Sequence, residues 1–240
     1  MKLVKFMAAA VATFAFSAAS AQVIYNDALT PGRNAFDATV TGVGGTVKTQ
    51  KFTGMSSGNS WSFADFTVKS TSGSYRYIDN AYSDGGQTLS GQAIGIDPQN
   101  PAAGSGLTFT FSTAVNAFGL EVGDWATCCY KPSSLYISFD GGATRKVASA
   151  FNANDNPGYA KGRSFTNFVA GIDTTSTFNT VTFYGDGFGE YLVAGGTIRY
   201  ATLDIGSVSA VPEPETYALM LAGLGLMGAV VRRRKQKSAA

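Results

Sequence analysis

The chain has 240 residues and not one histidine. That absence excludes Ser-His-Asp and Cys-His catalysis, any His-ligated zinc centre and the usual proton shuttle at neutral pH. The formal net charge of +2 comes from the ends: they hold seven of the 18 basic residues but two of the 16 acidic ones, leaving the middle with 11 basic and 14 acidic residues scattered singly, a pattern with no electrostatic footprint for nucleic acid.

In chain order, Lys2 and Lys5 precede an apolar run from Phe6 to Ala19. The run is shorter than the ~20 residues a membrane span needs. It ends on Ala19-Ser20-Ala21, the small-x-small pattern of a signal peptidase site. The reading is a signal peptide over 1–21, handled by the Sec translocon and signal peptidase, with Gln22 the first mature residue.

The middle, 22–206, reads as one all-β domain. Phe36–Val40 and Gly45–Thr49 read as early strands, and Trp61–Val68 as a strand whose alternation shifts at a bulge. Ser74–Ile78 comes before a turn at Asp84-Gly85-Gly86. Leu107–Ser112 alternates cleanly, with Leu107, Phe109 and Phe111 on one face. Ala117–Val122 follows. Leu135–Phe139, the turn Asp140-Gly141-Gly142 and Thr144–Val147 form the best hairpin. Phe178–Tyr184 and Thr197–Ile205 complete the set. No middle window of about ten residues shows a helical period. The expected fold is a two-sheet antiparallel β-sandwich, jelly-roll-like, with a signal helix and a transmembrane helix at the ends.

After a linker at 207–211 comes Val211-Pro212-Glu213-Pro214, whose prolines keep the chain extended. An uncharged stretch at about 216–231 would rise roughly 22 Å as a helix. Tyr217 and snorkelling arginines would make up the rest of a membrane core. Arg232, Arg233, Arg234, Lys235 and Lys237 then read as a cytoplasmic stop-transfer cluster. Both ends therefore give one topology at the inner membrane: domain outside, tail inside. On residues alone, this tail also fits a plain anchor that is never processed.

The three parts together, over 212–237, resemble the PEP-CTERM sorting signal of Gram-negative bacteria. The resemblance implies that an exosortase, a membrane-embedded cysteine transpeptidase, recognises and cleaves the chain near Pro212-Glu213-Pro214. It also implies an association with exopolysaccharide and biofilm. Phe111–Leu120, Ser134–Gly142 and Val181–Asp186 are similar to the sandwich domain common in PEP-CTERM proteins, which implies a fold and no reaction. The expected protein is therefore a structural or interaction component of the envelope or matrix and not an enzyme, first anchored and then at the cell surface or outside it.

Two other functions compete. A carbohydrate-binding module would use an aromatic platform, with Trp125 and Tyr130 the candidates, and extracellular polysaccharide as partner. Trp61, Tyr159 and Tyr191 belong to the same pool, although core filling is the favoured reading of both tryptophans. A carboxylate-only glycan hydrolase would need Glu121 with Asp124, or Glu190 with Asp186, across a cleft. Cys128 and Cys129 are adjacent. Their Cα atoms lie ~3.8 Å apart, below the common disulfide range. A vicinal disulfide, two unpaired thiols, an intermolecular bridge and a redox site all fit. No metal site or cofactor is expected: loop Asp and Asn are better read as turn residues than as calcium ligands.

Overall fold

The computed structural model describes residues 22–97, 105–127, 132–186 and 191–209, together with Gly223, Leu224 and Met227. β1 (Gln22–Ala28) runs straight into α1 (Leu29–Gly42). Next come β2 (Lys48–Lys51), β3 (Ser60–Ser62), β4 (Phe66–Ser70), β5 (Ile78–Asp79), the small hairpin β6 (Ser83–Asp84) and β7 (Gln87–Thr88), and β8 (Ala93–Ile96). β9 (Leu107–Val115), β10 (Ala117–Gly123), β11 (Ser133–Phe139) and β12 (Arg145–Ala150) follow. α2 (Pro157–Gly162), β13 (Thr166–Asp173), β14 (Phe178–Gly185) and β15 (Leu192–Ala201) close the series.

Two antiparallel sheets form the sandwich. One runs β1-β13-β10-β15-β8-β5, with β2 on the far half of β15, and the other runs β12-β11-β14-β9-β4-β3. Their inner faces meet in one large core. Phe66, Phe109 and Phe111 of the six-stranded sheet meet Phe118 and Tyr200 of the other, with ring centroids 4.9–6.1 Å apart. The alternation expected in β9 is the reason: Leu107, Phe109 and Phe111 are buried while Thr110 and Ser112 are exposed.

β15 changes partners midway, from β8 to β2. The switch falls at Gly195 and Gly196, where the register against β10 shifts between Gly119 and Glu121. Gly196 has φ 66°, and a Cβ there would sit 2.2 Å from the Glu121 carboxylate. Only glycine meets both demands.

α1 corrects the strand expected at Phe36–Val40 and the absence of a helical period. Leu29, Gly32, Phe36 and Val40 are its buried residues, a stripe spaced three and four apart. Its β-branched Thr39, Val40 and Thr41 made the segment look like strand; the tertiary surface beneath it decides otherwise. Pro31 sits in the first turn, where its missing N–H costs nothing. The stripe packs on the outer face of the seven-stranded sheet, in a second core of Phe36, Val40, Ala117, Phe168, Ala170, Ile172, Ala201 and Leu203 that reaches Val208. Tyr25 donates to Thr39 Oγ1 (2.8 Å), and Arg199 pairs with Asp37 (3.1 Å), tying the helix down.

Other expectations shift in detail. The bulge expected inside Trp61–Val68 is a turn between β3 and β4, closed by Phe63 N–H to the Phe66 carbonyl (2.9 Å). The early strand at Gly45–Thr49 starts at Lys48 instead. The Thr197–Ile205 strand is β15, which begins at Leu192 and stops at Ala201. The hairpin of β11 and β12 forms as expected around Asp140 and Gly141, both at positive φ.

Gln22–Ala210 is one compact unit. The signal segment and the span at 216–231 lie outside the described residues, apart from Gly223, Leu224 and Met227, which are helical. Among the described residues no helix is long and apolar enough to cross a membrane.

Candidate functional site

Several sequence candidates fall outside the described residues: Ala19 and Ala21, Cys128 and Cys129, Tyr130, Glu190, Val211 to Pro214, and the basic cluster at 232–237. Gln22 opens β1 and pairs with Asp173 of β13.

Trp125 is a correction to the platform reading. Asp124 and Ala126, both at positive φ, turn the chain back after β10 and press the indole into the core, where it is fully buried. Its Nε1–H donates to Ser133 Oγ (3.0 Å), and its carbonyl accepts from Asn156 Nδ2 (2.8 Å). A buried Trp finds a partner for its N–H in this way and offers no open face. Trp61 is also buried, donating to the Ser56 carbonyl (2.8 Å). Tyr159 stacks on Phe165 with Arg163 above its ring. Tyr191 is exposed.

The carboxylates considered for hydrolysis are engaged in structure. Glu121 is fully buried beneath α1. It accepts from Ser90 N–H and Ser90 Oγ (both 2.6 Å) and pairs with Arg33 (3.3 Å). Asp124 accepts from the Tyr82 hydroxyl (3.4 Å), and burial raises its pKa. Asp186 accepts from Ser134 N–H (2.6 Å) and the Tyr136 hydroxyl (2.7 Å). Asp140 accepts from the N–H groups of Asn179 and Thr180 (2.9 and 2.7 Å), and Asp155 from those of Phe151 and Asn152 (2.8 and 3.1 Å). Asp140 thereby ties its hairpin turn to the start of β14, and Asp155 bonds back three and four residues to close its own loop.

The surface that stands out is the outer face of the six-stranded sheet. Strand alternation turns one row of hydroxyls outward across four strands: Ser62, Thr67, Thr110 and Thr180 stand opposite one another in register. A second row runs Ser60, Lys69, Thr108, Thr182 and Ser138. Neighbouring members of a row stand ~4.8 Å apart, the inter-strand spacing. Thr108 and Thr182 also meet through their hydroxyls at 3.2 Å.

At one end of this face Tyr136 and Tyr184 pair across β11 and β14, stacked with centroids 5.0 Å apart and planes 18° from parallel. The Asp186 bond holds Tyr136; burial, then that bond, raises its pKa, so the ring stays a neutral phenol. Lys146 stands opposite Tyr136 on the other side. Stacked tyrosines beside ranked hydroxyls and two lysines make an amphipathic surface. Both tyrosines lie in segments the sequence already marks as strands, but nothing in the sequence alone pairs them.

A family model of the PEP-CTERM protein-sorting motif matches residues 210–235. No curated protein matches the chain. Among solved structures, the chain is similar to CBM51 from Clostridium perfringens GH95 in complex with methyl-galactose, at 9% identity over 63% of this chain and 99% of that one (TM-score 0.33). It is similar to a mutant of CBM29-2, a family 29 carbohydrate-binding module, at 10% identity over 71% and 99% (TM-score 0.34). It is also similar to the catalytic unit of a thermostable GH87 alpha-1,3-glucanase from Streptomyces thermodiastaticus strain HF3-3, at 12% identity over 70% and 28% (TM-score 0.32). What marks the chain is the PEP-CTERM protein-sorting motif it carries at residues 210–235, the signal of an exported exosortase substrate.

Proposed function

We propose that this protein is a structural or interaction component of the cell envelope or extracellular matrix, tied to exopolysaccharide and biofilm. In this reading the basic tail at 232–237 holds it in the inner membrane with the domain outside, until exosortase acts near Pro212-Glu213-Pro214. The observation that carries the reading is the sorting motif over residues 210–235. The β domain suits such a role: Glu121 helps fasten α1, Asp140 and Asp186 fasten chain turns, and its open face is polar. Intact mass of the mature protein from native cells, beside a strain lacking exosortase, tests it. A species ending near Pro212 only when exosortase is present is the expected result. A chain that keeps Arg232–Lys237 in both strains overturns it.

A second reading, a carbohydrate-binding module, is favoured by the Tyr136–Tyr184 pair on the open face. Saccharide rings carry apolar C–H faces that suit aromatic side chains, and rows of hydroxyls exchange hydrogen bonds with their rims. Affinity electrophoresis in gels cast with the host's own exopolysaccharide would retard the protein, and Tyr184→Ala would abolish the retardation. Equal mobility with and without the polymer would rule this reading out.

A further inference from the structure

A cavity of about 320 Å³ opens at one end of the sandwich, away from the tyrosine pair. Its walls come from four places: the turn after α1, the start of β2, the turn before β4, and the neighbouring ends of β9 and β15. Lys48, Asp65, Phe111, Thr113, Tyr200 and Thr202 carry its chemistry. The volume lies at the lower end of the range of small-molecule sites.

The polar groups are built in. The Asp65 backbone carbonyl accepts from both Ser112 N–H (2.9 Å) and Ser112 Oγ (3.0 Å), which pins its turn to β9. Asp65 Oδ2 accepts from the Tyr200 hydroxyl (2.8 Å) and from Lys48 Nζ (3.4 Å). The Tyr200 bond is the main cause that lowers the Asp65 pKa, so the group is a carboxylate at neutral pH. The second oxygen, Oδ1, accepts no bond from the described residues, and the ammonium has two N–H donors left. An acceptor and a donor therefore stand side by side at the mouth. Beneath them the buried rings of Phe111 and Tyr200, with centroids 5.2 Å apart, close the bottom of the cavity.

We infer that this cavity binds a single neutral sugar residue of an extracellular polysaccharide, gripped through a vicinal diol. One hydroxyl donates to Asp65 Oδ1 and its neighbour accepts from Lys48 Nζ. Charge argues for a neutral ligand: of the lining residues only Lys48 and Asp65 are charged, and they cancel. An acidic sugar gains no net attraction here and meets the Asp65 carboxylate. The inference rests on the proposed matrix role only for the setting in which sugars are met.

The test is saturation-transfer NMR on the full chain, purified in detergent from cells lacking exosortase. The probes are methyl glycosides of glucose, galactose, mannose and N-acetylglucosamine, with methyl glucuronide beside them. At least one neutral glycoside should receive saturation. Asp65→Asn and Lys48→Gln should each lose it, with unfolding temperature serving as the check on folding. Thr113→Tyr, at an exposed wall position whose side chain makes no hydrogen bond to the described residues, fills the cavity without replacing either member of the pair and should lose it too. Transfer to no neutral glycoside, to the glucuronide alone, or undiminished in Thr113→Tyr overturns the inference. Those outcomes leave exosortase processing untouched, so the two readings fail separately.

Discussion

The two outer faces of the sandwich solve opposite problems with the same strand grammar. On the seven-stranded sheet the outward positions Ala117, Phe168, Ala170, Ile172 and Ala201 are apolar, and α1 covers them. On the six-stranded sheet the outward positions are mostly Ser, Thr, Lys and Tyr, and most of them stay half-buried or exposed, Ser134 and Ser138 being buried. A sheet with one solvated face alternates; a sheet covered on both sides does not. The first face exists to hold the fold together, and the second is free to meet a partner.

The sharpest way to break this contrast is to uncover the covered face. Phe36 is fully buried and meets Phe168 and Tyr25 edge-on, both with centroids 5.8 Å away. Phe36→Ala should cost about 3–5 kcal/mol, the usual range for removing a buried aromatic ring. Urea denaturation reads this directly. A loss below about 1 kcal/mol would mean that α1 is an ornament on the sheet.

The next effect lies at the polar seam under the same helix. Glu121 is buried with Ser90 and Arg33 as partners. Glu121→Gln keeps the shape but removes the charge that Arg33 and two short hydrogen bonds serve. A loss of about 2 kcal/mol is expected, from charge-assisted bonds exchanged for weaker ones. Gly196→Ala should cost at least as much, since its Cβ would enter the carboxylate. If both variants unfold at the wild-type urea midpoint, the seam does not hold the helix in place.

The contrast also explains what the sequence reveals. The open side is legible: β9, β11 and β14 alternate apolar and polar, and all three were expected as strands. The covered side is legible only in part: β10 and the second half of β15 were expected, but β1, β8 and β13 were not. Every residue of β13 is buried, so it has no period to read. β1 shows no clean alternation and gains its place by pairing with β13. α1 announces itself through four residues whose spacing is visible only once a surface is there to receive them. The candidate sites follow the same rule. The sorting motif is a local signal and could be read outright. Tyr136 with Tyr184, and Lys48 with Asp65 and Tyr200, are brought together by register and by the turn before β4, neither of which the sequence declares.

A smaller effect, set by pH, belongs to the turn joining β13 to β14. Burial alone would raise the Asp173 pKa, but bonds from the N–H and hydroxyl groups of Thr175 and Ser176, 2.8–3.1 Å long, outweigh it and hold the pKa below the ordinary value. A depressed folded-state pKa contributes stability above the unfolded pKa and loses it as pH falls through the folded one. Stability should therefore drop on acidification below the ordinary Asp range. In Asp173→Asn that component should vanish, leaving a flatter acid limb and about 1 kcal/mol less stability at neutral pH. Denaturation midpoints across acidic pH compare the two limbs.

The smallest structural effect should come from the open face, and its smallness is the point. Thr110 is exposed and stands between Thr67 and Thr180 in the hydroxyl row. Thr110→Ala should change stability by no more than about 0.5 kcal/mol, as expected for a surface position. If the row is a contact surface, the same substitution should weaken retention by the host polysaccharide, because it removes one hydroxyl from a rank whose spacing the sheet fixes. Stability loss without loss of retention would make the threonines mere strand formers, favoured at those positions for their β-branched shape. Retention lost at constant stability would separate the two faces cleanly: where Phe36 is needed to fold, Thr110 is needed only to bind.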